Sequence, residues 1–278
     1  MPNTLTGAQA AAAIYAQVRA RAAALDAPPC LAAVSVGAQP DDRAYLHSIA
    51  LSAEGCGVAV RPFPLPADCA PETLTDTLRA LSADGAVHGV LLLRPLPAAL
   101  RAQEILDTLD ARKDVDGMTT RSLGALVTGA AGFAPCTAEA CMELLRAHGI
   151  DPAGRRVTVV GRSLVIGRPA ALLLTRADAT VTLCHRKTPD LAARCRDADI
   201  LLAAAGAPGL ITRDFVRPGQ IVLDAGATAL PDGTLRGDVA PDAAAIAVCT
   251  PVPGGIGSVT TALLLRHTVQ AAENLRYF

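Results

Sequence analysis

The sequence predicts an α/β protein whose centre is a parallel sheet of the dinucleotide-binding kind. Residues 157–169 (VTVVGRSLVIGRP) pass from a mostly β-branched stretch through Gly161 and Gly167 into an Ala/Leu-rich run over 170–175. Strand, glycine turn and helix start are the parts of a nucleotide-binding βα unit. The helix N-terminus offers unpaired N–H groups and partial positive charge to a pyrophosphate. A second observation is a set of short, near-continuous apolar runs, 31–36 (LAAVSV), 87–93 (VHGVLLL) and 200–204 (ILLAA). Such runs mark strands covered on both faces, as in parallel sheets. A third is that these runs alternate with helical segments, as βαβ units require. The loop spacing is G-x-S-x-x-x-G and not G-x-G-x-x-G, so an ordinary βα turn remains an alternative for this stretch taken alone.

Residues 4–25 are Ala-rich, with Ile14, Val18 and Leu25 near helical spacing, and Pro28-Pro29 stops them. Strand 31–36 ends at Gly37. Pro40-Asp41-Asp42 then supplies a helix start with dipole-compatible acids, predicting a helix over 43–54. A strand follows at 58–63, a helix at 71–83 and a strand at 87–93, which leaves through the stiff loop Arg94-Pro95-Leu96-Pro97. A helix over 139–148 ends at Gly149 and Pro152. Beyond the central unit, strands are predicted at 179–184, 200–204, 221–223 and 245–249, and a long helix at 259–275. Strand ends carrying small-residue turns, at 205–208, 224–227 and 250–257, are where α/β sheets hold ligands.

At 278 residues the chain holds one large or two modest domains. Net charge is −1 with scattered basic residues, and aromatics are 3% with no Trp, which argues against a nucleic-acid surface. Apolar runs are too short for a membrane span, and no basic-then-apolar leader opens the chain. The eight cysteines lack C-x-x-C spacing. They read as reduced, mostly buried thiols of a cytoplasmic protein, with no metal site.

The strand over 179–184 ends in His185-Arg186-Lys187. The end of the second strand meets the adenosine ribose, where an acid selects NAD and a base accommodates the 2′-phosphate of NADP. Arg186 and Lys187, with Arg162 in the glycine loop, therefore predict NADP as cofactor. A merely solvated basic strand end is the alternative.

KDVDG (113–117), PCT (135–137), VVGRSLVIGRP (159–169), GDV (237–239) and TPVPGGIG (250–257) occur in this order. The ordered set resembles the bifunctional methylenetetrahydrofolate dehydrogenase/cyclohydrolase family along nearly the whole chain. The resemblance implies a two-domain α/β fold, with a Rossmann-like NADP-binding domain over 139–258 and a split folate-binding domain over 1–138 plus 259–278. It also implies a folate in the cleft between domains and a homodimer, with no nucleic-acid or membrane partner. Tyr45 matches the tyrosine that stacks on the folate, and Asp116 the aspartate that bonds the pterin. Pro253, Gly254 and Gly255 match the loop lining the folate site. Gly161, Arg162, Ser163, Arg186 and Ala227 fall where the cofactor binds.

Two departures bear on chemistry. The family helix reads Y-x-x-x-K, its lysine being the centre of acid–base catalysis, whereas here Ile49 stands at the lysine position. The family strand reads G-I-L-V-Q-L-P-L-P, its glutamine orienting that lysine; here GVLLLRPLP puts Leu93 at the glutamine and Arg94 one residue on. Arg94 or His47 is the nearest substitute charge. In addition, the family's F-H-P-x-N-x-G-R-L is replaced by residues 118–126 (MTTRSLGAL), and Ser258 replaces a proline. The expectation is an NADP-dependent dehydrogenase with cyclohydrolase activity lost or much reduced. The alternatives are a site repurposed for another small substrate and a catalytically silent binding paralogue.

Overall fold

The computed structural model describes residues 4–37, 40–230 and 232–275. Cα packing divides the chain into two compact units, Met1–Ala12 with Thr137–Thr260 (the central unit) and Ala13–Cys136 with Thr261–Phe278 (the amino-terminal unit). The sequence assigned the whole start of the chain to the folate domain. The structure groups Met1–Ala12 with the central unit because Leu5 N–H donates to Cys249 O (2.8 Å) and Gly7 N–H to Gly254 O (2.9 Å).

Helix α1 (Ala8–Ala23) opens the chain, burying Ala11, Ile14, Val18 and Ala22 at three- and four-residue spacing. It starts later than residue 4 because Thr4 bridges to Cys249. The amino-terminal unit then continues through β1 (Cys30–Val36), α2 (Pro40–Glu54), β2 (Ala59–Leu65), α3 (Pro71–Ala83), β3 (Gly89–Leu92), α4 (Gln103–Leu106) and α5 (Thr120–Thr128). The side chains of Pro40 and Asp41, to which the sequence gives the α2 start signal, lie outside the described residues. The sheet is parallel with order β2-β1-β3, so β1 is covered on both sides and its apolar run is nearly all buried. Pro62 and Pro64 sit in β2, an edge strand where a missing N–H is tolerated. Leu74, Leu78 and Leu81 of α3 pack with Val90 and Leu92 into the main core of this unit.

In the central unit α6 (Cys136–Ala147) leads to β4 (Arg156–Val160), α7 (Gly167–Arg176), β5 (Thr180–Cys184), α8 (Leu191–Asp197), β6 (Ile200–Ala203) and β7 (Ile221–Asp224). A hairpin of β8 (Thr228–Ala229) and β9 (Leu235–Arg236) precedes α9 (Pro241–Ala244), β10 (Val248–Cys249) and α10 (Ile256–Leu275). The five parallel strands run β10-β7-β6-β4-β5. Chain order reverses between β4 and β6, which makes the carboxyl end of β4 the topological switch point. The last strand is shorter than the predicted 245–249 because residues 245–247 form the turn that leaves α9. No cysteine forms a disulfide. Burial pushes the thiols of Cys141, Cys195 and Cys249 up to about 12, which keeps them protonated. Among the described residues no helix is long and apolar enough to cross a membrane.

Candidate functional site

At the switch point β4 ends in Gly161, whose φ of +121° is a backbone that side chains rarely adopt. A Cβ on it would stand 2.0 Å from Ala204 O, so the loops after β4 and β6 touch only because this residue has none. Gly167, the first residue of α7, is equally constrained, a Cβ there meeting Gly161 O at 2.0 Å. Helix α7 therefore begins earlier than the predicted Ala170, with Pro169 in its first turn, where a missing N–H costs nothing. Ser163 turns its hydroxyl oxygen to the Ile166 N–H (3.1 Å), fixing the loop that aims α7 at the strand end. Arg162 and Ser163 are exposed beside it, and Ala227 is exposed beyond β7.

At the end of β5, His185 to Thr188 form a turn closed by the Thr188 N–H on His185 O (2.8 Å) and the His185 N–H on Thr188 Oγ1 (2.9 Å). The Arg186 and Lys187 side chains stand exposed on it without an ion pair among the described residues. The glycine cradle, helix start and exposed cations together fit a 2′-phosphorylated dinucleotide. The segment 250–257 bends at Gly254 (φ +95°), and Gly255 and Ser258 close it through a Ser258 Oγ–H bond to Gly255 O (2.7 Å). Pro253 and Gly254 are exposed there.

Two buried carboxylates that the sequence reading passed over hold the strand-end loops. Asp238 accepts the N–H groups of Ala205 (2.6 Å), Gly206 (3.1 Å) and Ala207 (2.7 Å). Asp224, whose pKa burial pushes up, accepts from Gly226 (3.0 Å), Asp238 (2.9 Å) and Val239 (2.9 Å). GDV was visible as a motif, but nothing in its spacing shows which backbone groups its aspartate collects.

In the amino-terminal unit the residues of KDVDG divide their work. Lys113 Nζ donates to Leu81 O (3.1 Å) and Asp84 O (2.7 Å), closing the end of α3. Asp114 accepts from Met118 N (2.9 Å), Thr119 N (2.7 Å) and Ser122 Oγ (2.6 Å), tying the turn to α5. His267 Nδ1, which must carry a proton to do so, donates to Val115 O (2.8 Å). Gly117 (φ +63°) lets the chain pass under Phe133 and Ala134, where a Cβ would meet Phe133 O at 2.6 Å. Asp116 instead accepts from Cys136, from its backbone N–H at 3.4 Å and from its thiol. Loss of solvent and the neighbouring Asp114 charge raise its pKa to about 6.

Tyr45 comes to the same place. The residue remains 38% exposed, while its hydroxyl bonds the Thr261 side chain and lies near Asp116. Loss of solvent, then the charge of Asp116, raises its pKa well above the usual phenol range. One turn along α2, Ile49 is completely buried (0% exposed), and Leu93 is buried just beyond β3. His47 is exposed at the surface. Arg94, by contrast, shares a narrow cavity with Asp114 and Asp116. A wider cavity in this unit, lined by Phe133, Gln270 and Asn274, also takes in Arg121, Ser122 and Ala125 of the 118–126 stretch that departs from the family pattern.

The model of the tetrahydrofolate dehydrogenase/cyclohydrolase catalytic domain matches residues 5–116, and that of the family's NAD(P)-binding domain matches residues 135–276. The chain belongs to the tetrahydrofolate dehydrogenase/cyclohydrolase family. A bifunctional FolD protein of Chloroflexus aurantiacus is 47% identical over 267 residues, which cover 95% of this chain and 92% of the relative. The bifunctional FolD enzyme of Campylobacter jejuni superposes with a TM-score of 0.93 at 36% identity, covering 98% of each chain. A third member, the FolD dehydrogenase-cyclohydrolase of Trypanosoma brucei, solved with NADP and an inhibitor, gives 0.91 at 34% identity over 98% of this chain and 97% of its own. The two-domain α/β fold expected from the sequence is the fold of this family.

Proposed function

We propose that the protein oxidises methylenetetrahydrofolate to methenyltetrahydrofolate with NADP and has lost most or all of the cyclohydrolase activity. Membership of a dehydrogenase/cyclohydrolase family and likeness to an NADP-bound member support the substrate and the cofactor. The observation that carries the second half is Ile49, a wholly buried aliphatic chain at the family's lysine position.

The two reactions make different demands. NADP, when bound, accepts the hydride. A neighbouring nitrogen lone pair of the folate expels it, and no proton moves, so alignment supplies most of the catalysis. In this reading Tyr45 stacks on the substrate, Asp116 fixes its pterin, and Pro253, Gly254 and Gly255 line its site. Gly161, Arg162, Ser163, Arg186 and Ala227 hold the cofactor. Hydrolysis of the methenyl product must instead remove and return protons, for which a general acid–base group contributes about 10²–10⁴-fold. Neither Ile49 nor Leu93 carries a titratable group. We also propose a homodimer, on the family resemblance, to be checked by sedimentation.

The test is a coupled assay with methylenetetrahydrofolate and NADP that follows methenyl absorbance and its decay separately. Methenyl should accumulate and decay at the uncatalysed rate; decay well above that rate would show that another residue has taken over proton transfer. Asp116→Ala should abolish methylenetetrahydrofolate binding while leaving NADP binding intact. Because the Asp116 pKa is raised, the group gives up its charge as pH falls through about 6. Folate affinity in the parent should decline below that pH, a step that Asp116→Asn should remove. For cofactor choice, NADP should bind more tightly than NAD. Arg186→Ala should erase much of the difference, a charged contact being worth about 1.5–3 kcal/mol, and equal affinities in the parent would refute the reading.

A further inference from the structure

The wider cavity of the amino-terminal unit includes neither Tyr45 nor Asp116 and none of the cofactor-loop residues. Its volume is about 410 Å³, where about 150 Å³ is enough to hold one benzene ring. The apolar walls are Ala111, Ala125, Ala131, Gly132 and Phe133. Alanine and glycine project little into the space, so these walls suit a flat, rigid group. Helix α5 and the loop before Cys136 meet through such residues, a Cβ on Gly132 standing 3.0 Å from the Ala125 Cβ. Position 125 is the arginine of the family's F-H-P-x-N-x-G-R-L, so this chain has a methyl group where the family has a long side chain. The truncation leaves open a space that the longer side chain would occupy.

The polar groups of the lining narrow the kind of ligand. Two guanidinium groups border the cavity, and no acidic side chain does among the described residues. Arg112 spends its charge on Asp110, which it grips through Nε (2.9 Å) and Nη2. Arg121 is exposed and forms no ion pair among the described residues. Gln270 and Asn274, four residues apart on one face of α10, add neutral amides. A single unpaired guanidinium matches a single carboxylate, which its planar fork can hold with two parallel N–H bonds. A phosphate dianion would leave one charge unmet. An occupant would also rest on two supports of the KDVDG turn. One is Ser122, whose hydroxyl donates to Asp114 (2.6 Å), and the other is Phe133, whose ring lies 4.9 Å from that of His267.

We propose that this cavity is an accessory binding site for a small aromatic carboxylate, its rings between the alanine walls beside Phe133 and its carboxylate on Arg121. The site is separate from the folate and cofactor sites proposed above, and its test does not depend on them.

The experiment titrates 2-naphthoate into the parent, Arg121→Gln and Ala125→Phe by calorimetry, with circular dichroism and the unfolding midpoint as controls for folding. Saturable one-to-one binding to the parent is expected. Arg121→Gln, at an exposed position, removes the charge alone and should weaken binding by about 10-fold or more, as loss of a charged hydrogen bond does. The neutral analogue 2-naphthalenemethanol keeps the rings and should bind the parent and Arg121→Gln alike. Ala125→Phe places a ring in the space that the probe needs and should abolish binding of both compounds. If Ala125→Phe fails to fold, the Arg121→Gln comparison between the two probes decides. The proposal is overturned if the parent shows no saturable binding of 2-naphthoate. Unchanged affinity in either folded variant overturns it too, because the probe then sits elsewhere.

Discussion

Ile49→Lys alone is expected to destabilise the protein by about 3 kcal/mol or more, the usual penalty for an uncompensated buried charge. The site is wholly closed to solvent, and the glutamine that orients the family lysine is here Leu93. The deficit carries a signature in pH. Burial depresses a lysine pKa, so between the folded and unfolded values the unfolded chain binds more protons and stability rises with pH. Denaturant unfolding should therefore show the variant closing on the parent between pH 7 and 10. Ile49→Lys combined with Leu93→Gln should recover stability beyond the sum of the single changes and give measurable methenyl hydrolysis, the coupling being read from a double-mutant cycle. Additive effects would mean that the two positions no longer form a unit in this chain.

Asp238→Asn should be almost as costly, about 2–4 kcal/mol. One carboxylate collects three backbone N–H groups of the loop after β6. An amide brings two donors of its own against those donors, and bonds to a charged acceptor are worth about 1.5–3 kcal/mol each. The expected result is a lowered denaturation midpoint with an unchanged denaturant slope, accompanied by weakened NADP binding. An unchanged midpoint would mean that the loop is held by other contacts.

Much of this architecture was legible because its signals are local. The runs around β1, β3, β4 and β6 are apolar and nearly continuous, as strands covered on both faces must be. Where the determinant is remote, the sequence is silent. Nothing near Thr4 announces a bridge to Cys249 at the other end of the chain. Helix α8 was missed because it buries only Cys195 and shows no apolar period. Pro62 and Pro64 hid the length of β2, since only its edge position excuses them. The candidate site divides in the same way. The glycines of the β4 loop state their purpose in their identity. By contrast, the proximity of Tyr45 to Asp116 depends on packing that no spacing encodes.

The division of labour inside KDVDG also bears on how such a protein drifts. Because Asp114 spends its carboxylate on the start of α5 and His267 fastens Val115, the orientation of Asp116 is insulated from the identities of residues 118–126. Asp114 reaches that stretch through the backbone of Met118 and Thr119 and a single hydroxyl, Ser122. The stretch that departs most from the family pattern is thus one that Asp114 grips mainly through its backbone. Substitutions at the exposed Arg121 and Gly124 are expected to leave the Asp116 carboxylate in place.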